Sequence, residues 1–85
     1  MPYENYLTES EFRFGCPFWP KVEKYLTHEF SPNPWIFCSG CRVMPQEFCY
    51  VLTYRNFDSS QELILTAEWK DGAVKISNVV TRTHG

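Results

Sequence analysis

The sequence predicts a small α+β domain in which one main helix packs on an antiparallel β-sheet. Three observations support this class: apolar residues at helical spacing after residue 18, alternating apolar residues in three long segments after residue 47, and the dipeptide Asp71-Gly72 between two of those segments. Helical spacing indicates an amphipathic helix, and alternation indicates half-buried strands. The 85 residues fit a single domain. Within it we expect an irregular N-terminal segment with a short helical turn over 1–17, a helix over 18–30 and the sheet over 34–82.

Both helical segments begin with a recognisable N-terminal signal. Thr8 and Glu11 match a capping box, in which each side chain accepts a hydrogen bond from the backbone N–H of the other residue. Pro20 suits the first turn of the main helix, because its missing N–H is not needed there. We expect the apolar stripe of this helix to cover the apolar face of the sheet. The stripe consists of Phe18, Val22, Tyr25, Leu26 and Phe30.

Two turns fix the predicted register of the long strands. Asp-Gly between alternating segments favours a two-residue hairpin turn, because both turn residues need a positive φ. A turn at Asp71-Gly72 pairs Trp69 with Val74 and, further on, Ile64 with Val79. A four-residue loop over 57–60 fixes the preceding hairpin, and a one-residue slip would put charges into the apolar face. That face is predicted to contain Phe48, Tyr50, Leu52, Tyr54, Leu63, Leu65, Ala67, Trp69, Val74, Ile76 and Val80.

A shorter hairpin is predicted upstream, around Cys38-Ser39-Gly40-Cys41. The Gly-containing dipeptide would form its two-residue turn, flanked by strands over 35–38 and 41–44. The helix followed by an antiparallel meander resembles the cystatin-like and nuclear-transport-factor-like arrangement of a helix on a curved sheet. The resemblance is one of fold, and such scaffolds carry unrelated functions.

Charge and hydropathy argue against nucleic acid and membranes as partners, and against a membrane-spanning or secreted chain. Eight basic and ten acidic residues give a net charge of −2, without clustered Lys and Arg. Nucleic acid and anionic membrane surfaces both need such clusters, so we expect neither as a partner. No apolar stretch approaches the roughly 18 residues of a membrane span, and the first residues lack the features of a signal peptide. We therefore expect a cytoplasmic location.

The four cysteines are the candidate metal ligands. Cys38 and Cys41 could hold one side of a zinc ion, which takes four ligands in a tetrahedral arrangement, and Cys16 and Cys49 could complete the site. A second C-x-x-C or an H-x-x-H would make the pattern strong, and neither is present. Free structural thiols are the favoured interpretation, with zinc and a disulfide or redox pair as alternatives.

The sequence lacks the groups that catalysis needs. His28 falls on the outer face of the predicted helix, and His84 lies at the chain end, where a general base is poorly held. Glu62 and Glu68 face Arg55 and a lysine across the predicted strands, so their charges have structural partners. The four glycines are isolated and form no phosphate-binding loop. We therefore expect a protein that is not an enzyme.

The sheet face opposite the helix is the candidate partner-binding surface. Three aliphatic residues in adjacent rows of this face are more than a purely solvated face needs. The aromatic content of 18% is explained first by a core filled with large rings, and second by aromatic residues on a binding surface. We expect a small non-enzymatic protein-binding module of the inhibitor, immunity or adaptor type. Its partner would be a protein of unknown identity, or a second copy in a homodimer. The candidate residues are Val51, Thr53, Phe57, Ile64, Thr66 and Val79.

Two alternative functions stay open on the sequence. One is a zinc-stabilised module that uses the C-x-x-C at Cys38 and Cys41. The other is a small-ligand pocket between the helix and the sheet, in which tyrosine hydroxyls supply hydrogen bonds inside an apolar cleft. The residues expected to line that pocket are Tyr25, Tyr50, Tyr54 and Trp69.

Overall fold

The computed structural model describes residues 6–30, 34–46 and 48–83. In this part of the chain two helices and five strands follow one another as β1 (Tyr6–Leu7), α1 (Glu9–Gly15), α2 (Trp19–Glu29), β2 (Ile36–Arg42), β3 (Cys49–Asn56), β4 (Gln61–Lys70) and β5 (Ala73–Thr83). The strands form one antiparallel sheet in the order β1-β2-β3-β4-β5. The predicted α+β class with an antiparallel sheet is confirmed. The predictions for residues 1–5 and for His84 lie outside the described residues.

Local sequence signals start both helices. At α1, the Thr8 N–H donates to Glu11 Oε1 at 2.9 Å, and the Glu11 N–H donates to Thr8 Oγ1 at 3.2 Å. The predicted capping box is therefore present, and the predicted short turn extends into a two-turn helix. Pro20 lies in the first turn of α2, whose Val22 and Leu26 are buried.

The register of the β3–β4 hairpin agrees with the prediction, and so does that of β4 with β5 near their turn. Arg55 lies opposite Glu62, which places the loop at 57–60. Asp71 and Gly72 have φ angles of 54° and 78°, the left-handed backbone that this turn requires. The apolar face of β3 and β4 is consequently buried. Its buried residues are Tyr50, Leu52, Tyr54, Leu63, Leu65 and Ala67.

The predicted pairing of Ile64 with Val79 is wrong, because β5 contains a bulge. Ile64 pairs with Val80, and Asn78 and Val79 together oppose Leu65. Asn78 has a φ of 52°, a conformation that asparagine adopts more readily than most residues. One extra residue moves all the following side chains to the opposite face of the strand. Val79 therefore packs against the core, and Val80, predicted on the core face, is 51% exposed on the other.

The predicted cysteine hairpin is also wrong, because β2 is one continuous strand over Ile36–Arg42. Gly40 makes no turn; it pairs with Leu52 of β3 and is buried. A Cβ at this position would lie 3.1 Å from atoms of Leu52 and of Phe37. Close packing inside the sheet therefore favours glycine at this position, which is a second common reason for glycine in a strand.

Both helices contribute to one core on one face of the sheet. Phe12 of α1 stacks on Phe37 of β2, with ring centroids 5.3 Å apart, and Val22 and Leu26 of α2 belong to the same buried cluster. No helix among residues 6–30, 34–46 and 48–83 is long and apolar enough to cross a membrane. The opposite side of the sheet, here called the outer face, carries Val51, Thr53, Arg55, Glu62, Ile64, Thr66, Glu68, Lys75, Ser77, Val80 and Arg82.

Candidate partner-binding surface

Four of the predicted partner-binding residues lie side by side at the centre of the outer face. Val51 pairs with Thr66 and Thr53 pairs with Ile64, and all four side chains are partly exposed. Directly opposed side chains on one face of an antiparallel pair lie about 5 Å apart, so these four touch or nearly touch. Val80 extends the surface onto β5. The result is a continuous β-branched surface over three neighbouring strands.

Sequence reasoning misplaced one residue of this surface and missed two. Val79, which was assigned to it, lies on the core face, because the bulge reverses the strand phase. Val80 takes its place opposite Ile64. Ile36 is also exposed and pairs with Arg55 at the outer end of β2. Alternation alone would not have placed Ile36, because the register of β2 shifts between Phe37 and Ser39 and reverses the phase of the residues before the shift.

Phe57 lies at the tip of the turn between β3 and β4, where 65% of it is exposed. The buried Asn56 holds this turn, because its Oδ1 accepts hydrogen bonds from the N–H groups of Asp58 at 3.0 Å and Ser59 at 3.2 Å. Such an Asx turn fixes the backbone around the aromatic residue. A large apolar side chain on a fixed turn is a suitable anchor for a partner, because little conformational entropy is lost when it is buried.

A buried carboxylate with two arginines lies at the same end of the outer face. Glu62 Oε2 is 3.5 Å from Arg55 Nε, and Glu62 Oε1 accepts a hydrogen bond from Arg82. The glutamate side chain is 7% exposed, whereas those of the arginines are 43% and 62% exposed. The arginines compensate the burial of the carboxylate, which would otherwise be strongly unfavourable. Their guanidinium groups still reach solvent beside the β-branched surface.

The structure does not bring the four predicted metal ligands together. Cys38 and Cys41 lie three positions apart in the strand β2, and an extended backbone separates Cα atoms at this spacing by about 10 Å. Cys16 is buried in the core, and Cys49 lies on β3 opposite Glu68. In the described residues no three His, Cys, Asp or Glu side chains are placed to hold a metal ion. The arrangement of the described residues therefore does not support the alternative of a zinc site at these cysteines.

All four cysteines are free thiols, and they differ in accessibility. Cys38 is exposed and Cys41 partly buried, whereas Cys16 and Cys49 are buried. Burial raises the pKa of the Cys16 thiol to about 11. Because the thiolate is the nucleophile, a buried thiol with a raised pKa is chemically inert. The environment of Cys16 agrees with a structural role.

The four residues predicted to line a ligand pocket do not share a cavity. Tyr50 and Tyr54 are buried in the core, where the Tyr50 hydroxyl donates to Gly15 O at 3.4 Å. The Tyr54 hydroxyl is buried and has no hydrogen-bond partner among the described residues. Trp69 and Tyr25 line two separate clefts along α2. Tyr50 and Tyr54 thus fill the core, whereas Tyr25 and Trp69 line clefts outside it.

Comparison of the chain with protein-family models, with curated proteins and with solved structures found no match. The likeness to the cystatin-like and nuclear-transport-factor-like arrangements therefore stays a prediction.

Proposed function

We propose that this chain is a small non-enzymatic protein-binding module that holds a partner protein on the outer face of its sheet and on the turn tip at Phe57. The single observation that supports this most is the uncovered β-branched surface. Both helices contribute to the core on the other side of the sheet, and no helix covers the outer face in the described part of the chain. The surface is formed by Ile36, Val51, Thr53, Ile64, Thr66 and Val80.

The size of the outer face suits a specific protein contact. Strands lie about 4.8 Å apart and rise about 3.3 Å per residue, so four strands of eight residues cover roughly 500 Å². Standard protein–protein interfaces bury about 800 Å² on each partner. The turn around Phe57 and the arginine side chains at the rim would supply much of the remaining area.

The charges at the rim indicate the chemistry of the partner. Arg55, Arg82 and Lys75 extend from the outer face, where the carboxylates of Glu62 and Glu68 lie opposite them in the ladder. Because Glu62 is buried and the arginines are exposed, the positive groups are the more accessible ones. We therefore expect a partner with an apolar centre and an acidic rim, since complementary charge favours encounter and fixes orientation.

The test compares one change at the centre of the surface with one on the far side of the domain. The partner is first captured from the host with the wild-type chain, identified and purified, and its binding is then measured by calorimetry. Ile64→Arg should weaken binding at least tenfold, which is about 1.4 kcal/mol, because it places a charge in the apolar centre. Phe57→Ala should weaken it severalfold.

His28→Arg is the matched control, because His28 is exposed on α2 and distant from the outer face. It should change affinity less than twofold. Wild-type affinity in both Ile64→Arg and Phe57→Ala would overturn the proposed surface. Sedimentation of the same variants shows whether the partner is a second copy of the chain, in which case Ile64→Arg should yield monomers.

A further inference from the structure

An open apolar cleft lies on the helix side of the domain, away from the proposed partner surface. It has a volume of about 360 Å³ between the start of α2 and the ends of β3 and β4. This volume is within the range of pockets that hold small organic ligands. The cleft is lined by Pro17, Phe18, Lys21, Phe48 and Trp69.

Aromatic packing forms the walls of this cleft. The buried ring of Phe18 lies between two others, with centroids 6.3 Å from Phe48 and 6.0 Å from Trp69. Phe18 meets Phe48 edge-on at 84°, so the three rings do not close into one stack. Trp69 is the last apolar residue on the core face of β4, and 42% of it is exposed. Aromatic side chains that contact one another therefore form the walls of this space.

Lys21 places a positive charge at this cleft. Lys21 Nζ lies 5.5 Å from the centroid of the Trp69 ring, within the range of a cation–π contact. Among the described residues no carboxylate forms a salt bridge with Lys21, whereas three of the arginines do have acidic partners. Lys21 also lines a second cleft of about 400 Å³, shared with Tyr25 and the β5 residues at the hairpin end. Its charge thus lies between two neighbouring clefts.

We propose that the cleft binds a small amphipathic organic anion. The carboxylate of this ligand pairs with the Lys21 ammonium, and its apolar part packs on Phe18, Phe48 and Trp69. Charge complementarity selects the anion, because an uncharged apolar molecule gains no ion pair with the exposed ammonium. The aromatic walls select an apolar tail, because a small hydrophilic anion would gain nothing from them. This proposal is independent of the protein partner on the outer face.

The test uses octanoate and 1-octanol, which have the same chain and differ in charge. Binding is followed by NMR, as the shift of the Trp69 indole N–H resonance. The indole resonances are assigned with Trp→Phe variants, and the Trp35 indole serves as an internal reference. Octanoate should shift the Trp69 resonance saturably and bind about three- to fivefold tighter than 1-octanol, the range of an exposed ion pair. Lys21→Met should abolish that preference and leave the affinity for 1-octanol unchanged.

Lys24→Met, on the exposed face of the same helix, is the matched control and should keep the preference. Three outcomes would overturn the proposal: no saturable shift at Trp69, equal affinity for the acid and the alcohol, or a preference that survives Lys21→Met. Because Lys21 is exposed, the variant should fold, and its unfolding midpoint verifies this.

Discussion

Gly40 lies directly opposite Leu52 in the β2–β3 ladder, and a Cβ on Gly40 would be 3.1 Å from Leu52 Cδ2. The same Cβ would be 3.1 Å from Phe37 Cζ. Leu52 and Phe37 are both buried, and side chains in a close-packed core have little room to move aside. The missing side chain at Gly40 is therefore part of the packing between the sheet and the helices.

We predict that Gly40→Ala destabilises the domain by about 1–3 kcal/mol, the usual range for an overpacked core. The measurement is the free energy of unfolding in urea. Ser39→Ala provides the control, because Ser39 is the exposed neighbour in the same strand and should change stability by less than about 0.5 kcal/mol. Equal stability of the two variants would show that the space around Gly40 is larger than the structure indicates.

The two core tyrosines should respond oppositely to loss of their hydroxyl groups. Tyr54→Phe removes a buried hydroxyl without a partner and should leave stability unchanged or raise it by about 1 kcal/mol. Tyr50→Phe removes the donor to Gly15 O and should destabilise by about 0.5–1.5 kcal/mol. Urea unfolding of both variants checks this. A clear destabilisation by Tyr54→Phe would reveal a hydrogen bond that this hydroxyl makes in solution.

The thiol of Cys16 should make the domain sensitive to alkaline pH. Burial raises its pKa from 9.0 to about 11, so its contribution to stability is complete below pH 9 and is lost as the pH rises through 11. Burial also raises the pKa of Tyr54 above 10.0, with the same sign. Stability should therefore fall above pH 9, and Cys16→Ala should make this fall shallower. A fall of unchanged steepness in Cys16→Ala would contradict the assignment.

The parts of the fold that follow from local sequence were predictable. The turn at Asp71-Gly72 depends on the positive φ that these two residues can adopt. The hydrogen bonds of the capping box join Thr8 and Glu11 within one helical turn. Neither feature depends on residues that are distant in the chain. Gly40 shows the limit of such signals. Glycine serves turns and close approaches alike, and only the position of Leu52 across the ladder distinguishes them.

The candidate surfaces depended on contacts between distant elements, and they were predicted unevenly. Val51 and Ile64 were placed on the outer face because the loop at 57–60 fixed the phase of β3 against β4. Val79 was misplaced, because the predicted register put the polar Asn78 on the core face, and this break in the alternation was not interpreted as a bulge. The cleft around Phe18 was missed, since it depends on how far α2 reaches along the hairpin, which spacing within one element does not determine.

The bulge in β5 gives a prediction at Asn78, whose φ is 52°. Asn78→Gly should be tolerated, because glycine adopts this backbone without steric conflict. Asn78→Val should destabilise by about 1–2 kcal/mol, because a β-branched residue is strained there. Thermal unfolding of both variants is the measurement. If Asn78→Val were as stable as Asn78→Gly, β5 would pair without the bulge, and Val79 would face outward.

The arginines around Glu62 should be coupled to each other through it. Replacing Arg55 or Arg82 alone with Gln leaves one cation at the buried carboxylate, so each single change should cost only about 1 kcal/mol. Replacing both arginines removes both of these cations from the buried carboxylate. The double variant should therefore lose about 3–5 kcal/mol of unfolding free energy. The double-mutant cycle in urea should therefore show a coupling of about 1–3 kcal/mol. The control is the same cycle in a Glu62→Gln background, where the two changes should be additive because no carboxylate charge remains to be neutralised. Additivity in the wild-type background would contradict the prediction, because it would mean that other contacts stabilise the buried Glu62 carboxylate.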